Sequence, residues 1–323
     1  MRVWIATPCL AVLCLAGLAS SLALTSPEPP KADPKSPAAK PEPFKQEIPG
    51  AAFSIDMIPI VPNEKDPAAQ TLAPFFISSM EISWDAYDAF VFNRDDEKGM
   101  PPLSADAVTR PSRPYIPPDC GFGHAGYPAI CLHLNSVVEY CRWLSARSGL
   151  KYRLPTEAEW ELACAAGSTK PYSFGDDAKN AGDYAWLESN SDESPHPVGK
   201  KKPNAFGLYD MHGNVAEWVT TPDNKKIVKG GSWESKPEDL TTTSRLEYTI
   251  KWQKTDPQIP KSKWWMSDGQ HVGFRVVCEA DPKTGKPAKA DLKPDTKPDT
   301  KPDTKPDTKP DTKAPEPKKD DKK

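Results

Sequence analysis

The chain has 323 residues, of which 37% are hydrophobic, and a formal net charge of −3 at pH 7. Its central part, residues 50–281, holds 24 Lys and Arg against 32 Asp and Glu, a net charge of −8, and nine of the ten Trp. This length is sufficient for one sizeable hydrophobic core. The acidic balance argues against a general nucleic-acid binder, so we expect no nucleic acid among the partners.

The amino terminus is typical of a secretory signal. Arg2 precedes a run without further charge, residues 3–24, which ends in small residues. This pattern predicts a signal peptide over residues 1–23, with cleavage near Ala23, and hence an exported protein that is periplasmic, secreted or at the cell surface. An uncleaved membrane anchor is the alternative, because the run is nearly long enough to span a bilayer. If the signal is cleaved, we expect no membrane span.

Two segments that flank the central part are predicted to be disordered. Residues 24–49 are rich in Pro and Lys, a composition typical of an extended, solvated linker. Residues 282–323 contain five consecutive KPDT repeats, at 293–312, and almost nothing that could be buried. One globular domain is therefore predicted over residues 50–281.

The first elements of this domain are predicted to be strands. Residues 48–55 place Phe53 and Ile55 on one face, and residues 75–82 form a second strand candidate. A short helix is predicted to begin at Ser83.

Two further helices carry the sequence pattern of a capping box, in which a hydroxyl and a carboxylate satisfy the free backbone donors of the first turn. One pattern is Ser136 with Glu139, and the other is Thr156 with Glu159. Gly167 is predicted to close the second of these helices as its C-cap.

Residues 204–219, NAFGLYDMHGNVAEWV, combine large apolar side chains with repeated turn signals and show no helical or strand period. We interpret them as a buried, turn-rich core segment. Asp210 and Glu217, with peptide oxygens of the bend between them, are candidates to hold a hard cation. The alternative is that both carboxylates cap turns.

Several separate motifs resemble the formylglycine-generating enzyme family, the sulfatase-modifying factors. They occur in the family's order: IPGAAF at 48–53, RLPTEAEWE at 153–161, PNAFGLYDMHGNVAEW at 203–218, GGSW at 230–233 and GFRVV at 273–277. The resemblance covers nearly all of residues 50–278. It implies an irregular α+β fold related to C-type lectins, with short strands, few helices and long loops.

The same resemblance raises a question about catalysis. The family's oxidases convert a sulfatase cysteine to formylglycine with O2 and a copper(I) ion held by two cysteines, because soft thiolates select Cu(I). The corresponding positions here are Ser235 and Leu240. We therefore expect no copper and no catalytic residue, while Ser232, Trp233 and Trp218 are expected to line a remaining ligand pocket.

Family members bind calcium with residues that match Asp210, Gly213, Val215 and Glu217. The resemblance therefore implies a Ca2+ site formed by the two carboxylates and by the peptide oxygens of Gly213 and Val215. It also implies a disulfide between Cys141 and Cys278, although the second cysteine lies two residues later than in the family. A local bridge between the cysteines at 120 and 131 is a further possibility, and Cys164 is expected to stay free.

Two classes of function follow from these observations. The first is an exported, non-catalytic member of the family that binds an unknown ligand or a protein, with a sulfatase as one candidate. The alternative is a formylglycine-generating oxidase that matures sulfatases by an altered mechanism. The replaced thiol pair at Ser235 and Leu240 favours the first class.

The five histidines are scattered and show no metal-ligand spacing, and His212 is expected to be a packed core residue.

Overall fold

The computed structural model describes residues 41–48, 51, 53–62, 71–92, 111 and 117–291. The predicted signal peptide and the KPDT repeats lie outside these residues. Within the described ranges, no helix has both the length and the apolar character needed to cross a membrane.

The fold is α+β and contains two small sheets. The first sheet is antiparallel and has the order β1-β2-β3-β9-β4, and the second has the order β7-β6-β5-β8, in which β5 and β8 run parallel. The strands are β1 Phe44–Glu47, β2 Ser54–Ile60, β3 Phe75–Ser78, β4 Tyr152–Arg153, β5 Ala216–Val219, β6 Ile227–Lys229, β7 Arg245–Glu247, β8 Val272–Gly273 and β9 Val277–Glu279. The helices are α1 Trp84–Val91, α2 Leu134–Ser148, α3 Glu157–Ala165 and α4 Ala181–Tyr184, with 3-10 turns at Ala178–Asn180, Pro237–Leu240 and Ile250–Gln253.

The core lies on both faces of the first sheet. Successive side chains of a strand point to opposite faces, and in β3 Phe76 packs into one apolar cluster while Phe75 and Ile77 pack into another. The first cluster contains aromatic residues of α1 and α2, such as Tyr87 and Tyr140. β3 is therefore a fully buried strand, which explains its continuous apolar sequence.

Helix α3 begins as predicted, but α2 does not. In α3 the Thr156 hydroxyl accepts a hydrogen bond from the Glu159 amide at 3.2 Å, and the Glu159 carboxylate accepts one from the Thr156 amide at 2.8 Å. The capping box predicted at Ser136 is wrong, because α2 begins three residues earlier than that pattern predicts, with His133 as its N-cap. The Ser136 hydroxyl is buried and lies 2.5 Å from the Tyr87 hydroxyl, so a tertiary contact uses the group that a cap would need.

Other boundaries also differ from the sequence expectations. β1 lies inside residues 24–49, which were expected to form a linker, and it pairs with β2. At the other end, residues beyond 281 contact the domain, with a bridge between Leu150 and Lys289. The C-cap of α3 is Ala166 rather than Gly167. Backbone pairing thus extends the ordered region in both directions, and side-chain composition gives no signal for such pairing.

Candidate functional site

The carboxylate of Glu217, on β5, is held in the interior by two side chains from other elements. Arg275 donates from Nε to Oε2 at 2.6 Å and from Nη2 to Oε1 at 2.7 Å. Trp160, on α3, donates from Nε1 to Oε2 at 2.7 Å. Arg275 also donates to the carbonyls of Ser78 and Tyr209, at 3.0 and 2.9 Å. Glu217 and Arg275 are fully buried, so these hydrogen bonds replace the water that both charges have lost.

Two more buried carboxylates lie beside this pair. Asp210 accepts a hydrogen bond from the Gly199 amide at 2.6 Å through Oδ2, and Glu81 accepts one from Asn214 Nδ2 at 3.1 Å through Oε1. Within the described part of the chain, no donor reaches Asp210 Oδ1 or Glu81 Oε2 when both carboxyls are ionised, whereas a protonated Glu81 donates a hydrogen bond to Asp210. Burial raises the pKa of Glu81 well above its usual value, and nearby negative charges add to the effect. Burial also raises the pKa of Asp210.

The backbone around Asp210 bends sharply. Asp210, Gly213 and Asn214 all have positive φ, at 57°, 94° and 58°. A Cβ on Gly213 would stand 2.2 Å from the carbonyl oxygen of Trp186, so only glycine fits there. The turn-rich segment is buried at Leu208 and over residues 210–219, whereas Ala205 is exposed and the other residues before 210 are partly exposed. Its last residues form the regular strand β5.

The oxygen atoms of these residues suit a hard cation, but the four expected ligands are not all free to bind one. Three buried carboxylates face the single guanidinium of Arg275, and no donor reaches two of their oxygens when all three are ionised. Glu217 would have to share an oxygen between the cation and Arg275. Among the described residues, no group of three or more His, Cys, Asp or Glu side chains is arranged to hold a metal ion. The expected set of calcium ligands contains only two such side chains, those of Asp210 and Glu217. Its other two ligands are the peptide oxygens of Gly213 and Val215.

The two positions at which the family carries copper ligands lie together in space. A Cβ on Gly231 would stand 2.5 Å from Leu240 Cδ2 and 3.1 Å from Ser235 Oγ, so both side chains rest on the same glycine. Leu240 is completely buried in a small apolar cluster with Tyr172. Ser235 Oγ accepts a hydrogen bond from the Ser232 amide at 2.9 Å. At the two positions where the resemblance implies thiolates, the chain thus has a hydrogen-bonded hydroxyl and an alkyl side chain, and neither is a soft ligand.

Of the three residues expected to line a pocket, the structure keeps two together and separates the third. Ser232 and Trp233 adjoin Ser235, and Trp233 is partly exposed. Trp233 donates from Nε1 to the Gln270 carbonyl at 3.4 Å. Trp218 is completely buried and donates from Nε1 to the Leu132 carbonyl at 2.8 Å, so it is a core residue and cannot line an open pocket.

His212 is packed as expected, in contact with a serine hydroxyl. Its Nδ1 lies 2.6 Å from the Leu240 carbonyl oxygen and its Nε2 lies 2.9 Å from Ser173 Oγ. Since a carbonyl only accepts, Nδ1 carries the proton and Nε2 accepts from Ser173. Burial lowers the pKa of His212 to about 4. This imidazole is therefore a weak base, and the contact is a structural hydrogen bond.

The cysteine contacts differ from the expected pairing. The structure has five free thiols in its described part, and the expected Cys141–Cys278 disulfide is not formed. Cys278 lies on β9 between its cross-strand neighbours Phe76 and Tyr152, and both cysteines are buried. In contrast, the sulfur atoms of Cys120 and Cys131 are in contact, 3.5 Å apart. Cys164 is free, as expected.

Comparison with known proteins assigns the fold and then the family. The solved structure of Treponema denticola variable protein 1 matches 74% of this chain and 100% of its own, with a TM-score of 0.53 and 20% identity, which shows a shared fold. Residues 32–280 match the sulfatase-modifying factor enzyme 1-like domain family. The chain therefore belongs to the formylglycine-generating enzyme family, as its motifs predicted.

Two curated relatives have contrasting names. The formylglycine-generating enzyme of Mycobacterium tuberculosis is 30% identical over 204 residues, which is 50% of this chain and 60% of that protein. The inactive Cα-formylglycine-generating enzyme 2 of Bos taurus is 29% identical over 175 residues, 50% of this chain and 53% of that protein. The chain thus spans between half and two thirds of the length of each relative.

Sequence reasoning identified Asp210 and Glu217 but missed their neighbours. Arg275 lies within the GFRVV motif, which could have indicated a partner for a buried carboxylate. Glu81 lies in an apolar stretch before α1, and no sequence pattern links it to Asp210. For the cysteines, the sequence indicated a local Cys120–Cys131 bridge as a second possibility beside Cys141–Cys278, and the two sulfurs lie 3.5 Å apart.

Proposed function

We propose that this chain is a non-catalytic member of the family that acts as a binding module. The observation that carries the proposal is the contact of Ser235 and Leu240 with the same glycine, Gly231. The two positions therefore lie close to each other, and the sequence carries no sulfur at either of them. Without them the site has no soft ligand with which to retain Cu(I), and copper-dependent oxidation of a substrate thiol has no centre.

The relatives support a loss of activity within a retained fold. The family contains a protein whose name describes it as inactive. The match to that protein covers 50% of this chain, and so does the match to the enzyme of Mycobacterium tuberculosis. Fold and catalytic function are separable, because a function depends on a few residues placed on the fold.

The surface proposed for binding lies around Trp233. Its ring is partly exposed and contacts the ring of Phe122, with centroids 5.9 Å apart. Aromatic side chains of this kind supply large contact area in binding sites. Such a surface suits an unknown small ligand or a protein segment, including one from a sulfatase. We also propose export of the protein, on the basis of the amino-terminal sequence.

A calcium ion is the cofactor that we propose, held by Asp210 and Glu217 with the peptide oxygens of Gly213 and Val215. Three buried carboxylates around the guanidinium of Arg275 support it, because they carry more negative charge than Arg275 can neutralise when all three are ionised. Calcium takes six to eight oxygen ligands, including carboxylates and backbone carbonyls, which is the donor type present here.

The activity test measures formylglycine formation. The full chain is incubated with Cu(I), O2 and a reductant together with a peptide that carries a sulfatase-type cysteine motif, and the product is analysed by mass spectrometry. We expect no aldehyde above a control without protein. Aldehyde formation at a rate well above that control would establish the oxidase alternative instead.

A pair of double variants identifies the cause. Ser235→Cys with Leu240→Cys introduces the two thiols, and Ser235→Ala with Leu240→Ala truncates the same side chains without sulfur. We expect Cu(I) binding in the cysteine variant alone. Copper binding by the unmodified chain would contradict the proposal.

The binding test uses the same peptide with a fluorescent label. Anisotropy is measured with the full chain and with Trp233→Ala. If a sulfatase segment is the partner, the peptide binds the unmodified chain without being converted, and Trp233→Ala weakens that binding. A peptide that binds both proteins equally would remove Trp233 from the proposed surface.

A further inference from the structure

Two cysteines of the domain lie in direct contact. The sulfur of Cys120 is 3.5 Å from the sulfur of Cys131, although eleven residues separate them in the chain. Both residues have positive φ, at 52° and 59°, a region that non-glycine residues rarely adopt. Such backbone conformations persist only where the surrounding structure enforces them. The contact is therefore a fixed feature of this fold.

The two thiols are anchored and exposed differently. Cys131 is buried, its amide donates to the Gly269 carbonyl at 3.2 Å, and its own carbonyl accepts from the Met266 amide at 2.7 Å. Cys120 lies in a turn closed by its amide and the Pro117 carbonyl at 3.1 Å, and its side chain is partly exposed. A reagent in solution can reach Cys120 first, and Cys131 then stands directly behind it.

The hydrogen bond between them makes the two sulfurs chemically unequal. Either sulfur can be the donor while both are thiols, but once Cys120 is a thiolate only Cys131 can donate, and this hydrogen bond lowers the pKa of Cys120. The same hydrogen bond, together with burial, raises the pKa of Cys131 well above its usual value. The thiolate is the nucleophile in disulfide exchange, so the exposed sulfur is also the more reactive one.

The other thiols of the domain lack these properties. Burial raises the pKa of Cys141 and of Cys278 to about 12 in each case. Cys164 is completely buried, and burial raises its pKa well above the usual value. Reactivity towards a disulfide reagent is therefore expected at one position of the five.

The pair lies beside the aromatic surface described above. Phe122, two residues after Cys120, packs against Trp233. The Cys131 amide is hydrogen-bonded to the carbonyl of Gly269. The carbonyl of the next residue, Gln270, accepts a hydrogen bond from the Trp233 indole. A covalent bond between the two cysteines would tie the segment that carries Phe122 to Cys131, whose amide is hydrogen-bonded to the loop that supports Trp233.

We propose that Cys120 and Cys131 form a redox-active dithiol that closes to a disulfide by exchange with a small disulfide such as oxidised glutathione. The Cys120 thiolate attacks one sulfur of the reagent, and the first glutathione thiolate leaves. The Cys131 thiol then gives up its proton and attacks the Cys120 sulfur of the mixed disulfide, which expels the second glutathione thiolate. The two protons lost by the cysteines are taken up by the two glutathione thiolates, so two protein thiols are oxidised and one glutathione disulfide is reduced.

The proposal is independent of the proposed binding function, and its test needs no ligand. The reduced full-length chain is incubated with oxidised glutathione, quenched by alkylation and mapped by mass spectrometry under non-reducing conditions. We expect a crosslink between the peptides containing Cys120 and Cys131, while Cys141, Cys164 and Cys278 are alkylated after denaturation. A crosslink between other cysteines of the domain, or equal oxidation of its five cysteines, would overturn the proposal. Any Cys9 and Cys14 peptides, from the predicted signal peptide, are mapped separately.

Two variants separate the two steps. In Cys131→Ser the reaction stops at the first step, so Cys120 accumulates a stable glutathione adduct. In Cys120→Ser the buried Cys131 stays reduced, because the nucleophile is missing. Cys164→Ser is the matched control and retains the crosslink. A wild-type chain that keeps glutathione on Cys120 without closing would contradict the role of Cys131, and this outcome requires no variant to fold.

Discussion

The guanidinium of Arg275 and the carboxylate of Glu217 form a two-hydrogen-bond ion pair in the interior, with N–O distances of 2.6 and 2.7 Å. Removing one partner of a buried pair leaves an uncompensated charge, which costs about 3–5 kcal/mol. We expect Arg275→Met to lower the free energy of unfolding by about this amount, measured by denaturant titration. The substitution also removes the hydrogen bonds that Arg275 donates to the carbonyls of Ser78 and Tyr209.

A surface pair provides the control for this prediction. Lys170 and Asp176 form an exposed ion pair at 3.0 Å, and exposed pairs contribute little to stability. We expect Lys170→Met to leave the unfolding midpoint unchanged. Equal midpoints for Arg275→Met and the unmodified chain would show that the interior pair is dispensable.

Gly213 is expected to be intolerant of a side chain. Gly213→Ala places a methyl group 2.2 Å from the Trp186 carbonyl oxygen on a backbone with φ of 94°. Gly149→Ala is the matched control, with φ of 71° and nothing within 4 Å of the new Cβ. The left-handed backbone alone costs about 1–2 kcal/mol, so Gly149→Ala should lose about that and Gly213→Ala clearly more. Thermal unfolding of both variants measures the difference, and equal losses would exclude the clash.

Calcium is expected to stabilise the domain through Asp210. A ligand at 100 times its dissociation constant adds about 2.7 kcal/mol to stability, so the melting temperature should rise with Ca2+ and fall with chelator. Asp210→Asn should abolish this response. In chelator the variant should be at least as stable as the unmodified chain, because burial disfavours the charge that it removes.

Asp183→Asn is the control, since Asp183 is exposed and paired with Lys202. It should keep the calcium response. A calorimetric titration of the unmodified chain without binding heat, together with a melting temperature indifferent to chelator, would reject the calcium proposal.

His124 is expected to make stability depend on pH. Partial burial lowers its pKa, but the Asp88 and Asp119 carboxylates, at 3.0 and 3.1 Å, outweigh that effect and raise it. A raised pKa in the folded state means that the contribution is fully present below the unfolded value, near 6.5, and is lost as pH rises through the folded pKa. Since the side chain is 42% exposed, we expect less than about 1 kcal/mol.

The measurement compares the unmodified chain with His124→Asn at a series of pH values from 5 to 8.5, using denaturant titration. The stability difference between the two proteins should be largest at the acidic end and shrink towards the alkaline end. A difference that grows with pH would contradict the assigned contacts.

Local sequence signals predicted the elements that depend on neighbouring residues. The capping box of α3 was predicted because Thr156 and Glu159 satisfy each other's backbone donors within one turn. The same pattern at Ser136 failed, since a tertiary contact with Tyr87 uses that hydroxyl. Between residues 48 and 277 the motifs follow one another in the family's order, and this order predicted the family. The match of residues 32–280 to the sulfatase-modifying factor enzyme 1-like domain family confirms it.

The sequence by itself determined the family, the lack of thiols at Ser235 and Leu240 and the burial of residues 210–219. Only the tertiary structure decided that Arg275 neutralises Glu217, that Trp218 is a core residue, and that Cys120 meets Cys131. The physical reason is that these contacts join residues on different elements. Residue types and spacings specify which groups need a partner, whereas the packing of sheets and loops decides which partner each group receives.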